Sequence, residues 1–125
     1  MDKLKLYAPL AARIMMGVLF IMAGVGKLGD VAGFAGYMAS GGIPAFLAWP
    51  SIIFEVALGL ALIVGFQARI MALLGAGFCV VTAVLFHFVP ADQMQMTMFL
   101  KNFAIAGGLL MVFAHGAGAL AVDKS

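Results

Sequence analysis

Charge is what this sequence has least of. Only 10% of its 125 residues are Asp, Glu, Lys or Arg, while 66% are hydrophobic. A water-soluble domain carries about 25% charged residues, so this chain has too little polar surface to face water, and lipid is the alternative solvent. The net charge of +2 comes without any basic run, which excludes nucleic acid as a partner. Cysteine is nearly absent. Cys79 is alone and cannot close an intrachain disulfide; in its apolar run it reads as a small packing residue. No HxxH, CxxC or HExxH spacing occurs, so no metal site is expected. No P-loop sequence occurs either, and nothing suggests a flavin site.

Long uncharged runs take the place of that missing charge. Residues 70–91 carry no Asp, Glu, Lys or Arg over 22 positions, and residues 102–122 carry none over 21. A membrane span needs roughly 20 mainly apolar residues. Two further stretches qualify with one interruption each: Arg13 in the first and Glu55 in the second. The predicted fold is all-α, a four-helix transmembrane bundle forming one integral membrane domain over residues 1–125, with helices at about 7–28, 45–66, 70–89 and 96–115. The N-terminus has the basic start of a signal peptide, but Arg13 breaks the apolar region and no small-x-small site precedes a soluble domain, so it reads as a retained first span. Between the first two helices, Phe34, Tyr37 and Met38 stand at i, i+3 and i+4. That spacing predicts a short helix on the membrane surface, ended by Gly41, Gly42 and Pro44. Trp49 is placed as an interfacial anchor.

Lys and Arg beside short loops set orientation. Four helices put both termini on one side, with Lys3, Lys5, Arg13, Arg69 and Lys124; the other side holds Lys27 and Lys101. Five against two predicts both termini in the cytoplasm. A weak internal repeat relates Arg13-Ile14-Met15 to Arg69-Ile70-Met71, and EVALGLALIVGF from Glu55 to NFAIAGGLLMVF from Asn102. It pairs Ala57 with Ala104, Leu62 with Leu109 and Phe66 with Phe113, as two parallel copies of one helical hairpin would. Gly17 and Gly24, Ala57 and Ala61, and Ala104 and Gly108 are spaced to let helices approach closely.

Chemistry must lie in the few polar groups within the spans, because a charge at mid-bilayer costs about 2.5–3.5 kcal/mol on insertion scales. Glu55 is the strongest candidate. It lies about 10 residues from either end of its helix, too deep to snorkel, and must be protonated or paired. Arg13, Gly17, Phe20, Gly24 and Lys27 share one face of the first helix. Lys27 can snorkel to its interface, whereas Arg13 sits deeper, which favours Glu55 as its partner. Lys27, His87, Lys101 and Asn102 come from three helices near the outer side, so together with Glu55 they can line one pocket there. His115 falls at the other end, which argues against haem held by two histidines. The bland alternative is that each polar group only fixes packing.

These residues resemble the DoxX family of small bacterial membrane proteins. The resemblance rests on Arg13, Phe20 and Ala23-Gly24-Val25-Gly26-Lys27, then Tyr37-Met38 and Gly42-Ile43-Pro44. It continues through Glu55, Gly59, Gly65-Phe66-Gln67-Ala68-Arg69, Leu85-Phe86-His87, Phe99-Leu100-Lys101-Asn102 and Gly116-Ala117-Gly118 before Asp123. It is nearest to the enterobacterial inner-membrane branch and covers nearly the whole chain. It implies a multi-pass protein of the bacterial inner membrane and a link to redox chemistry, since the family takes its name from a subunit of a thiosulfate:quinone oxidoreductase. The lone Cys79 departs from that expectation by excluding an intrachain dithiol. The function expected is therefore a quinone- or quinol-binding membrane subunit of an oxidoreductase system. Glu55 would be its proton-handling catalytic group, Lys27, His87, Lys101, Asn102 and Arg13 would be ligand-binding residues, quinone its cofactor, and a membrane or soluble redox protein its partner. A small proton or weak-acid carrier gated by Glu55, or an assembly protein without catalysis, is the alternative. So small a bundle buries little, which also points to a homo-oligomer of undetermined number.

Overall fold

The computed structural model describes residues 2–122. Asp123 and Lys124, used above in the resemblance and the charge count, lie outside the described residues. The described chain forms only helices and turns. Helix α1 (Asp2–Lys27) is followed by a 3-10 turn at Leu28–Asp30 and the short α2 (Val31–Ser40). A second 3-10 turn at Ala45–Leu47 leads into α3 (Ala48–Val64), then α4 (Ala68–Thr82), a π-helical turn at Ala83–His87, and α5 (Gln93–His115). Among the described residues, four segments are long and apolar enough to cross a membrane: Asp2–Ser40, Ala45–Val64, Ala68–His87 and Gln93–His115.

The helix ends follow local chemistry that the hydrophobic pattern alone does not show. α1 starts at Asp2, not near residue 7, so Pro9 stands inside the helix and leaves the carbonyl of exposed Lys5 without its helical donor. Asp92 caps α5, its carboxylate accepting from the backbone N–H groups of Met94 (3.0 Å) and Gln95 (3.2 Å). The helix therefore begins three residues before the expected Met96. Asp30 caps α2 in the same way through Gly33 N–H. α3 ends at Gly65, whose φ of 76° is the left-handed conformation that glycine adopts without cost. Gly65 and Phe66 both donate to the Ala61 carbonyl.

α1 packs along α3, and α4 along α5, so the chain is two helical hairpins side by side. Close approach of α1 and α3 depends on Gly17 and Gly59. A Cβ at Gly17 would lie 2.7 Å from the Gly59 carbonyl, and one at Gly59 would lie 2.6 Å from the Gly17 carbonyl. The facing residue is thus Gly59, and Ala57 is exposed, which corrects the Ala57–Ala61 pairing expected above. Leu58, Leu62 and Leu109 are fully buried where the hairpins meet. In the repeat, Leu62 and Leu109 share burial, and Ala57 and Ala104 share exposure. The arginine register does not hold. The buried face of α1 is Arg13, Gly17, Phe20 and Gly24, and the face of α4 with the same spacing is Ala68, Ala72, Gly75 and Cys79. Ala68, not Arg69, is therefore the counterpart of Arg13, and Arg69 is exposed.

Candidate functional site

A partly open cavity of about 330 Å³ lies between the two hairpins, and Lys27, Glu55, His87, Lys101 and Asn102 all line it. Each element delivers its residue for a local reason. α1 runs antiparallel to α3 with Gly24 facing Glu55, so that a Cβ added at Gly24 would lie 3.4 Å from the Glu55 Cβ, and this places Lys27, one turn further on, beside the carboxylate. Lys27 Nζ and Glu55 Oε1 form an ion pair. Glu55 is 3% exposed, while the Lys27 side chain keeps contact with the surroundings and also lies 5.0 Å from the centre of the Phe34 ring, within cation–π range. A buried carboxylate persists only with such a partner.

The second hairpin supplies a matching polar pair. Asn102 Nδ2 donates to Thr82 Oγ1 (3.1 Å) and more weakly to the Cys79 carbonyl (3.4 Å), to which Thr82 Oγ1 also donates (3.2 Å). Thr82 stands in α4 where Lys27 stands in α1 by the shared spacing, and Asn102 aligns with Glu55 in the repeat. An ion pair and a neutral pair thus face one cavity from equivalent positions. With its carbonyl shared among several donors, Cys79 lies at the point where α4 relaxes into the π turn at Ala83–His87. Single π turns occur often at functional sites. Here the turn carries Phe86 and His87 to the cavity. Phe86 stacks on Tyr37 with ring centres 5.1 Å apart, and its carbonyl accepts from Tyr37 Oη at 3.3 Å. His87 Nδ1 meets Gln95 Oε1 at 2.8 Å; against that acceptor Nδ1 carries the proton, and Nε2 is left for a ligand. Lys101 is exposed at the rim and makes no ion pair among the described residues.

Arg13 is elsewhere. It is 1% exposed, and its Nη1 donates to the carbonyls of Leu62 (3.0 Å) and Ile63 (3.2 Å). Its Nη2 donates to the Leu120 carbonyl. The expected Arg13–Glu55 pairing is therefore corrected: the cation that meets Glu55 is Lys27. The reason is geometric. Gly17 fixes α1 against Gly59, so Arg13 reaches the last turn of α3. There free carbonyls and the negative end of the helix dipole attract a cation. Arg13 Nε has no hydrogen-bond partner among the described residues. His115 stands in the last turn of α5, away from the cavity.

Several cavity residues were not anticipated as site residues. Phe34, Tyr37 and Met38 were read as an apolar face on the membrane surface, and all three line the cavity, with Met38 buried. Ser51, Thr82 and Phe86 carried no signal in an apolar sequence. Residues 24–29 do spell G-x-G-x-x-G. They close a helix instead of opening one after a strand, so they do not form a dinucleotide-binding turn.

Comparison with known proteins agrees with this architecture. The DoxX family model matches residues 8–88. The chain belongs to the DoxX family. The stretch matched to DoxX carries Arg13, Lys27, Glu55 and His87 and ends before Lys101 and Asn102. Two relatives extend the similarity to the whole length. Inner membrane protein YqjF of Escherichia coli (strain K12) is 43% identical over 99% of this chain and 95% of its own. Inner membrane protein YphA of the same organism is 33% identical over 92% of this chain and 87% of its own. No solved structure matches the chain.

Proposed function

We propose that this DoxX-family protein is a quinone- or quinol-binding membrane subunit of an oxidoreductase system, seated in the bacterial inner membrane with both termini in the cytoplasm. One observation carries the reading: a buried carboxylate, Glu55, forms the wall of a mainly apolar cavity whose rim presents the Lys101 ammonium beside the polar side chains of Asn102 and His87. Its volume falls within the usual range for small-ligand sites. Both carbonyl oxygens of a quinone are acceptors: the Lys101 ammonium at the rim donates to one, and Glu55, once protonated, to the other. Reduction to the quinol takes two electrons and two protons. The electrons come from a partner protein or a soluble donor. Glu55 takes up a proton from water through the open rim and hands it to the nearer quinone oxygen, and the second proton reaches the other oxygen from water by the same rim. In the reverse direction the Glu55 carboxylate accepts a proton from the quinol. Lys27 compensates the carboxylate's charge and fixes its position; Arg13 takes no part.

The test is quinone turnover with a membrane-derived electron donor. Positioned acid–base groups contribute about 10²–10⁴-fold, so Glu55→Gln is expected to lower turnover by about a hundredfold. Unchanged turnover in that variant overturns the proposal. Proton flux in liposomes that needs Glu55 but no quinone would instead establish a carrier. Polar substitutions that change only stability would establish an assembly role.

A further inference from the structure

A second cavity, of about 410 Å³, lies beside the first between the start of α3 and the outer half of α4. Met38, Ser51, Phe78, Thr82 and Phe86 line both, so the two spaces are separated only by shared side chains. Their chemistry divides sharply. All the ionisable groups belong to the first cavity. Apart from the shared Ser51 and Thr82, the second is walled by apolar residues that include Ile43, Leu47, Phe54, Leu74, Val81 and Leu85. It opens outward, since Leu74, Val81 and Leu85 are all exposed, and in a membrane that opening faces acyl chains. Gly77 widens it: a Cβ built there meets no atom within 4 Å.

We infer that the two cavities form one binding site for a single amphipathic ligand, with its polar ring among Lys27, Glu55, Lys101 and Asn102 and its isoprenoid chain in the groove between α3 and α4. The inference rests on the quinone reading and narrows it to lipid-tailed quinones that enter sideways from the bilayer. A ring without a tail would fill only the first cavity. Continuity supplies the argument for the occupant. A polar compartment that opens through shared walls into an apolar one, itself open to lipid, matches a molecule with a polar head and a long apolar chain. The Tyr37–Phe86 stack, its rings 5.1 Å apart, and the Phe54–Phe78 contact at 5.3 Å stand at the boundary, where the chain passes between aromatic faces.

Gly77 allows a direct test, because a Cβ there meets no protein atom within 4 Å and the side chain it carries starts in the groove. The full-length protein in nanodiscs is titrated with a benzoquinone carrying a long isoprenoid tail and with the same ring lacking the tail. Gly77→Phe is compared with Gly107→Phe, a position on α5 that also has nothing within 4 Å of a Cβ and lines neither cavity. Gly77→Phe is expected to weaken the tailed quinone by about ten- to a hundredfold, the usual scale of an overpacking clash, and to leave the tailless ring unchanged. Gly107→Phe changes neither. Equal binding of the tailed quinone by wild type and Gly77→Phe overturns the inference while leaving the headgroup site standing. Failure of both quinones to bind wild type removes the quinone reading, and this inference with it. A tailed quinone with a photoreactive group at the chain end gives an independent readout. Labelling of the groove residues around Phe54, Leu74 and Val81 is expected, and labelling confined to α1 and α5 overturns the inference even if Gly77→Phe fails to fold.

Discussion

Lys27 and Glu55 are tied together by what each would cost alone. Glu55 is almost wholly buried, and a buried carboxylate without a partner is strongly unfavourable. Lys27→Met is therefore expected to destabilise the protein by about 2 kcal/mol. Lys27→Met combined with Glu55→Gln is expected to be more stable than Lys27→Met alone, and thermal unfolding of the singles and the double in one detergent checks the coupling. That Glu55 needed a cation was legible from its depth in an apolar run. Which cation it meets was not, because the crossing point of α1 and α3 decides it. Thr82 and Tyr37 were illegible for another reason. A hydroxyl on an apolar helix is compatible with many environments, and only the fold turns these two toward the cavity.

The helices themselves were legible because lipid demands long uninterrupted apolar stretches. The starts of α2 and α5 are set by Asp30 and Asp92, whose side chains cap them. The π turn at Ala83–His87 had no sequence signal at all; just before it the Cys79 carbonyl accepts from Thr82, Asn102 and the Ala83 N–H. At the level of helix packing, the Gly17–Gly59 contact is backbone against backbone and cannot relax around an added side chain. Gly59→Leu is expected to cost on the order of 3 kcal/mol or prevent folding. Gly107→Leu, with open space at its Cβ, is expected to be nearly neutral. Yield and melting temperature of the two variants decide between this contact and a general intolerance of larger residues. Arg13 joins the last turn of α3 to the segment after α5, where Val122 N–H also reaches the Val64 carbonyl at 2.9 Å. Arg13→Gln is expected to release that segment, read as several-fold faster proteolysis after His115 with the bundle intact. An unchanged cleavage rate would show that the docking does not depend on the guanidinium.

Two hairpins with a polar cavity between them describe the molecule as a whole. The internal repeat pointed to this arrangement, because Leu62 and Leu109 occupy the same place in successive hairpins. It missed the one-residue shift that buries Ala68 and exposes Arg69, since the Arg-Ile-Met match is local while burial is set by helix packing. The clustering of Lys27, Glu55, His87, Lys101 and Asn102 followed from their depths alone. The adjoining apolar groove did not, because its lining looks like any other lipid-facing surface. The proposed orientation rests on the distribution of basic residues. A reporter fused at either end is expected to be active on the cytoplasmic side, and an externally active fusion would invert the assignment. The central claim, a quinone held between the hairpins, is tested most directly by purifying the protein in mild detergent, extracting it with solvent and identifying bound quinone by mass spectrometry beside Glu55→Gln and Lys101→Ala. The account predicts near-stoichiometric quinone in the wild type and its loss in both variants. A wild-type protein that carries none, and binds none on titration, would contradict it.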